Sequence, residues 1–271
     1  MTRRGLLAAA AALPAFGAKK PEIGLELYSV REELSKDLPG TLKKVAAMGY
    51  PGVEFYGPYA EWTVAYAKEV RGILDGTGMK CYSTHNNIRY FANLPHLIEL
   101  NQALGAKLLI MSSGGRPASL DGWKKVAETL TDAGEKVKAA GLRTGYHNHE
   151  LEFQPLEGKR PMEVLAANTP KSVVLQLDVG TCLMAGSDPV AWVKANPGRI
   201  VSMHLKDWKP APGHEGFRIL LGEGYPKWKE LIRTAQKTGG LEHLLVEQEG
   251  HELPPFETVE RCLKNLKKML G

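Results

Sequence analysis

The chain has few cysteines and lacks a long uninterrupted apolar run. Its three cysteines, Cys81, Cys182 and Cys262, are an odd number without CxxC spacing, so we expect buried thiols rather than a disulfide framework or a zinc knuckle. A membrane-spanning helix needs about 20 consecutive apolar residues, and the sequence contains no such run. The sequence therefore predicts neither a small disulfide-stabilised domain nor a membrane span.

Excess charge of one sign is also small. The formal net charge is +5, and it falls to +3 if Arg3 and Arg4 are removed with the N-terminal segment. A value this mild, with Lys and Arg spread along the chain, is not typical of nucleic-acid binding. We expect no nucleic-acid partner.

The N-terminal segment differs from the rest of the chain. Arg3 and Arg4 precede an Ala-rich apolar stretch that ends in small residues near Ala18, and this pattern is typical of a twin-arginine export signal. We interpret residues 1–18 as that signal and residues 19–271 as one domain, which predicts an exported, periplasmic protein. The alternative is an amphipathic or unstructured N-terminus, and the protein would then be cytoplasmic.

The remainder alternates short apolar runs with longer helical ones, which indicates repeated βα units. The predicted strands are Ile23–Tyr28, Gly52–Tyr56, Lys80–His85, Lys107–Ser112, Arg143–His149, Val173–Asp178, Ile200–Lys206 and His243–Gln248. The predicted helices are Leu38–Met48, Trp62–Thr77, Leu94–Leu104, Leu120–Ala140, Pro161–Ala167, Pro189–Asn196, Trp228–Thr238 and Pro255–Leu270. This pattern predicts an α/β fold, a (β/α)8 TIM barrel. An open doubly wound sheet is disfavoured because no Gly-rich phosphate turn follows the first strand.

Four of the predicted strands end in side chains that bind metals. Glu150, Asp178, His204 and Glu247 lie at the C-terminal ends of apolar runs, and a parallel barrel gathers such ends around one point. Any one of them alone would more often be structural. Together, carboxylates and imidazole suit Mn²⁺, Zn²⁺, Fe²⁺ or Co²⁺ and leave positions open for substrate oxygens.

The fifth strand offers more than one ligand. His147 and His149 share one face of the strand because side chains alternate, while Glu150 lies where the strand becomes a loop. We favour Glu150 as the metal ligand and His147 as a base or substrate contact. His147 or His149 as the ligand remains the alternative.

Further polar residues are predicted at the same mouth. His85 follows the third strand and would be a proton shuttle or a hydroxyl ligand, and Lys206 could stabilise an enolate oxygen. Glu54, on the second strand, is interpreted as an inward-pointing group that supports the site. His149 and Trp208 are further candidates for substrate contact, although a structural role explains each of these residues individually.

The order of these motifs resembles the sugar phosphate isomerase/epimerase family of xylose isomerase-like barrels, from about Ile23 to Leu270. The motifs are Val53-Glu54-Phe55, Thr84-His85-Asn86, Tyr146-His147-Asn148-His149-Glu150, Leu177-Asp178-Val179-Gly180, His204-Leu205-Lys206-Asp207, Leu221-Gly222-Glu223-Gly224 and Val246-Glu247-Gln248.

The resemblance implies a divalent ion, most often Mn²⁺, with Zn²⁺, Co²⁺, Fe²⁺ or Mg²⁺ as alternatives. The family's Glu, Asp, His, Glu ligand set carries over to Asp178, His204 and Glu247. Many relatives have the first Glu at the position of His147, so Glu150 would replace it or the set differs. In the epimerases two metal-bound glutamates exchange the substrate proton, and His147 would stand in for one of them.

The resemblance implies an isomerase or epimerase that acts on a sugar or keto-sugar through an ene-diolate, with Glu247, His147, Glu150 and His85 as catalytic residues. The alternatives are a lyase or dehydratase acting on a keto-sugar, inosose or 3-keto-glycoside, and a non-catalytic sugar-binding barrel. Export favours an unphosphorylated carbohydrate substrate, and a homo-oligomer is compatible with this class. An endonuclease IV-like nuclease would need more histidine ligands and a more basic surface.

Overall fold

The computed structural model describes residues 20–238 and 240–271, so the predicted export signal, residues 1–18, lies outside the described residues. Eight parallel strands pair in chain order and close into a barrel. The strands are β1 (Glu22–Glu26), β2 (Gly52–Phe55), β3 (Lys80–Asn87), β4 (Leu108–Ser113), β5 (Arg143–His147), β6 (Val174–Asp178), β7 (Ser202–Leu205) and β8 (His243–Val246). The predicted barrel is confirmed.

Helices connect the strands and surround the barrel. They are α1 (Arg31–Lys36), α2 (Leu38–Ala47), α3 (Val64–Thr77), α4 (Leu94–Leu104), α5 (Leu120–Ala139), α6 (Glu150–Phe153), α7 (Pro161–Asn168), α8 (Val179–Met184), α9 (Pro189–Ala195), α10 (Trp228–Thr238) and α11 (Pro255–Leu270). The short helices α1, α6 and α8 lack the long periodic runs that predicted the others. In the part of the chain that the structure describes, no helix combines the length and apolarity needed to cross a bilayer.

The outer helices bury one apolar face each against the strands. In α5, for example, Trp123, Val126 and Leu130 are buried while the Lys and Glu residues between them are mostly exposed, as the 3.6-residue period requires. The strands are buried on both sides of the sheet, which is usual for a parallel barrel. Inside the barrel, polar side chains collect toward the C-terminal ends of the strands, where the predicted site lies.

Strand β5 ends two residues earlier than predicted. The Glu152 carboxylate accepts hydrogen bonds from the Tyr146 hydroxyl at 2.7 Å and from the His149 backbone N–H at 2.8 Å. These bonds turn the chain out of the strand, so that His149 caps α6 and Glu150 is its first residue. His147 is therefore the last residue of the strand, and His149, which was predicted to share a strand face with it, instead lies beyond the strand as the exposed N-cap of α6.

Candidate active site

A cavity of about 850 Å³ opens at the C-terminal ends of the strands. Its lining includes Glu26, His85, His147, Lys206 and Glu247, together with residues of the loops that follow the strands. This volume is within the usual range of about 300–1,000 Å³ for small-molecule sites. A small carbohydrate therefore has room above the strand ends.

Four buried residues form a compact cluster at the base of this cavity. One ligand-type atom from each of His147, Asp178, His204 and Glu247 lies within 4.8 Å of the others. His147, Asp178 and His204 lie on β5, β6 and β7, Glu247 directly follows β8, and Asp178 pairs in register with His204. The alternation of side chains along each strand points all four into the barrel.

The chemistry of the cluster fits a divalent cation. Asp178 is completely buried, and its Oδ2 has no hydrogen-bond donor among the described residues. Such an oxygen is unfavourable without a positive partner. Two imidazoles and two carboxylates are a ligand set suited to Zn²⁺, Mn²⁺, Fe²⁺ or Co²⁺.

His204 is held between two carboxylates. Its Nδ1 lies 2.6 Å from Glu247 Oε2, and its Nε2 lies 2.6 Å from Glu54 Oε1. Burial alone would lower the pKa of His204, but Glu54 and Glu247 outweigh it and raise the pKa well above the usual range. If Nδ1 bound a cation, the Nε2–H bond to Glu54 would still orient the ring, as carboxylates commonly do for metal-binding histidines.

Gln176 connects three site residues through its side-chain amide. Its Oε1 lies 3.0 Å from His147 Nδ1 and 2.6 Å from His85 Nε2, while its NH2 group donates to Glu54 Oε2 at 2.8 Å. His147 therefore carries its proton on Nδ1 and keeps the Nε2 lone pair. Burial, together with neighbouring His204, lowers the pKa of His147 well below its usual value, so the ring is neutral and suited to be a ligand or a base.

Lys206 brings an ammonium group to the edge of the cluster. Its Nζ lies 3.7 Å from both Asp178 Oδ2 and Glu247 Oε1 and forms a closer ion pair with Glu249. Burial opposes the charged form, but Glu247 and Asp178 outweigh it and raise the pKa of Lys206. Lys206 therefore remains charged at the edge of the cluster.

Two of the predicted site residues lie away from the cluster. Glu150, favoured as the fifth-strand ligand, is half-buried in the cavity wall, and His147 occupies the position in the cluster. The cause is the early end of β5, which carries Glu150 into α6. Trp208 does not belong to the described residues that line the cavity. It packs edge-on against Tyr225, with ring centroids 6.4 Å apart.

The other predicted residues lie at or next to the cluster. His85 stacks on His204, with ring centroids 5.0 Å apart, and lines the cavity, as does the exposed His149. Glu54 is fully buried beneath the cluster. Our interpretation of Glu54 as an inward-pointing supporting group agrees with this position.

Sequence reasoning missed Glu26, Gln176 and Glu249. Gln176 lies two residues before Asp178 and therefore on the same face of β6, and Glu26 interrupts the apolar run between Leu25 and Leu27. A systematic use of two-residue alternation would have identified both. Glu249 lies two residues beyond Glu247, after the end of β8, where alternation becomes unreliable.

The fold and the cluster together define a class, that of parallel eight-stranded barrels with buried metal-ligand side chains at the C-terminal mouth. Residues 42–269 match the family described as xylose isomerase-like TIM barrel, and the chain belongs to this family.

The sequence identity to individual proteins is modest. The chain is 25% identical over 274 residues to the rhizopine catabolism protein MocC of Rhizobium meliloti, with 88% of this chain and 83% of that protein covered. It is 34% identical over 86 residues to an inosose dehydratase of Lactiplantibacillus plantarum, which covers 31% of this chain and 28% of that protein. A solved sugar phosphate isomerase/epimerase from Parabacteroides distasonis is 26% identical, with a TM-score of 0.79, and the match covers 97% of this chain and 98% of that one.

Proposed function

We propose that this protein is a divalent-metal-dependent enzyme that removes the proton next to a carbonyl group of a sugar or keto-sugar, and returns it to give isomerisation or epimerisation. The observation that carries the proposal is the buried cluster of His147, Asp178, His204 and Glu247 at the base of an open cavity. The similarity to a sugar phosphate isomerase/epimerase supports the same reaction class.

The metal would be held by His147, Asp178, His204 and Glu247, with Mn²⁺ as the favoured ion and Zn²⁺, Co²⁺, Fe²⁺ or Mg²⁺ as alternatives. When bound, a divalent ion supplies Lewis acidity that polarises a carbonyl and acidifies the neighbouring C–H. Glu54 and Gln176 would keep the imidazoles in their orientation through the hydrogen bonds described above.

The proton transfer would use the two basic groups at the cluster. Glu247 has a lowered pKa because Lys206 and His204 outweigh the effect of burial, so it is an ionised carboxylate. His147 is neutral and keeps its Nε2 lone pair. Where His147 Nε2 binds the ion, Glu247 would both take the proton and return it, through the carboxylate oxygen that does not bind the ion. Where Asp178, His204 and Glu247 alone hold the ion, His147 Nε2 would be the second base. In either case Lys206 stabilises the ene-diolate oxygen.

A second candidate is elimination from an inosose or 3-keto-glycoside. The similarity to an inosose dehydratase favours it, and so does the ammonium of Lys206, which can donate a proton to a departing hydroxyl. In both cases an exported enzyme would encounter unphosphorylated substrates.

The test is proton exchange measured alongside metal content. The metal-loaded protein, without residues 1–18, is incubated in D₂O with free ketoses, inososes and 3-keto-glycosides, and NMR follows both deuterium incorporation and product. We expect exchange with at least one substrate, and a loss of at least about 100-fold, roughly 2.7 kcal/mol in the barrier, in Asp178→Asn and Glu247→Gln. Glu128→Gln, an exposed position on α5, is the matched control and should keep full activity.

The products separate the two candidates. Exchange with recovery of an isomer or epimer supports the first, and loss of water or of an aglycone supports the second. A metal-loaded protein that binds these sugars but exchanges no proton would contradict both and would indicate a non-catalytic sugar-binding barrel.

A further inference from the structure

Glu26 is a buried carboxylate that the proposed reaction does not use. It ends β1, is 1% exposed and lies in the wall of the mouth cavity. Neither of its oxygens has a hydrogen-bond donor among the residues that the structure describes. A carboxylate in this state is unfavourable unless a proton or a cation compensates for its charge.

The neighbours of Glu26 are themselves ligand types. One oxygen of Glu26, one oxygen of Glu54 and one ring nitrogen of His85 lie within 4.8 Å of one another, and all three residues are buried. Ligands bound at about 2.0–2.2 Å to one ion lie about 3.3–4.4 Å apart. Only a small adjustment would therefore bring these three atoms to bonding distance around a common ion.

Glu54 has bonding capacity left for such an ion. Its Oε1 faces His204 and His85, but its Oε2 accepts only one described hydrogen bond, from Gln176. A carboxylate oxygen has about two lone pairs available for partners. Glu54 could therefore orient His204 through one oxygen and bind a cation through the other.

Buried carboxylates outnumber the buried cationic groups at the mouth, even with His204 counted as a cation. Glu26, Glu54, Asp178 and Glu247 are buried carboxylates, and the ammonium of Lys206 already pairs with Glu249 as well. A single divalent ion at the first cluster leaves negative charge uncompensated around Glu26. Burial, followed by repulsion from Glu54, raises the pKa of Glu26 well above its usual range, so without a cation a proton is the charge that compensates this carboxylate.

We propose that Glu26, Glu54 and His85 form a second divalent-cation site next to the first cluster. Two carboxylates and one imidazole suit Zn²⁺, Mn²⁺ or Fe²⁺ and leave positions open for water or a substrate hydroxyl. The site uses residues other than the four of the first cluster, and His204 contacts both groups through Glu54 and the stacked ring of His85. The second site would bind its ion whichever reaction the first cluster catalyses.

Metal stoichiometry tests this site without any reference to activity. The chain is stripped with chelator and dialysed against Mn²⁺ or Zn²⁺, and bound metal is quantified by mass spectrometry. We expect two ions per chain in the unmodified protein, one in Glu26→Gln and one in Asp178→Asn. The exposed Glu32→Gln, on α1, is the control and should keep two ions.

Two additional measurements test the second site even if Glu26→Gln or Asp178→Asn fails to fold. Glu26→Asp keeps the charge on a shorter side chain and should bind the second ion at least about tenfold more weakly. Electron paramagnetic resonance of the fully loaded Mn²⁺ protein should show line broadening from dipolar coupling between two neighbouring ions, and Glu26→Gln, where it folds, should remove it.

One ion per chain at saturation, unchanged by Glu26→Gln, would overturn the second site, and a proton shared between Glu26 and Glu54 would then be the compensating charge. In that case, deuterium exchange by the one-ion protein would still support the proposed function. Two ions without any exchange would support this site and contradict the function.

Discussion

Lys206 places an ammonium group among three carboxylates at the base of the mouth. Its Nζ is near Asp178 and Glu247, forms an ion pair with Glu249, and lies 4.9 Å from the centre of the Phe217 ring. In the absence of a bound metal, this lysine is the cationic group next to Asp178, while His204 lies closer to Glu247. The residue therefore has a structural role in addition to any role in catalysis.

Replacing this lysine should destabilise the metal-free protein more than the metal-bound one. Lys206→Met keeps the volume but leaves buried carboxylates unpaired, and removal of one partner from a buried ion pair costs about 3–5 kcal/mol. A divalent ion at the cluster would restore much of the lost compensation. We expect urea unfolding to show a loss of this size in chelator and a clearly smaller one in saturating Mn²⁺.

Lys209→Met serves as the comparison for Lys206→Met, since Lys209 is exposed whereas Lys206 is buried. Its free energy of unfolding should change by less than about 0.5 kcal/mol in both conditions. An equal loss in Lys206→Met with and without metal would show that the ammonium and the ion do not compensate for the same carboxylates.

At the N-terminal end of the barrel, β1 and β2 carry glycines at positions where a Cβ would collide with a neighbouring side chain. A Cβ built on Gly52 of β2 would lie 2.3 Å from Cζ of Tyr82, and one on Gly24 of β1 would lie 3.0 Å from Cδ2 of the same ring. The Tyr82 ring stacks on His243 of β8, with centroids 4.4 Å apart. The missing side chains on β1 and β2 thus make room for the stacked rings of Tyr82 and His243.

We expect Gly52→Ala to lower the free energy of unfolding by about 1–3 kcal/mol, the usual penalty for overpacking. Tyr82→Val should partly restore the loss when combined with Gly52→Ala, because the colliding ring is removed. Gly57→Ala is the control, since a Cβ there meets nothing within 4 Å. A double-mutant cycle by chemical denaturation measures the coupling, and additive effects would contradict the contact.

The predictability of these elements from sequence depends on whether the apolar pattern carries the signal or specific side-chain hydrogen bonds do. The eight strands and the long helices were predictable because apolar periodicity is a local signal. The end of β5 was not, since the contacts of Glu152 with Tyr146 and His149 determine it. Three of the four cluster residues could be named in advance, whereas the choice between His147 and Glu150 depended on this turn.

At the scale of the whole molecule, the two ends of the barrel interior differ in the side chains that they bury. The C-terminal end concentrates buried carboxylates and histidines around the mouth cavity, while the stacked pair of Tyr82 and His243 lies at the N-terminal end. Barrels of this type commonly place chemistry at the first end and stability at the second. Protonation of groups at the N-terminal end at low pH should therefore change the free energy of unfolding and not the catalytic rate.

His243 should make the protein less stable in mild acid. Its Nδ1 is buried without a described hydrogen-bond partner, and burial lowers its pKa although Glu242 and Glu22 oppose the shift. Above the unfolded pKa of about 6.5 both states carry a neutral ring, so there is no penalty. As the pH falls from that value toward the lower folded pKa, only the unfolded state takes up the proton, and stability is lost.

Urea unfolding of the unmodified protein and of His243→Gln, each in chelator from pH 7.5 to pH 5.5, measures this contribution as a difference. The histidines and carboxylates of the mouth titrate in both proteins, and they cancel in the difference because distant sites are nearly additive. We expect the free energy of unfolding to fall more steeply with decreasing pH in the unmodified protein than in the variant. Parallel curves would mean that His243 takes up its proton equally in both states, and the acid sensitivity of the barrel would then originate at the mouth.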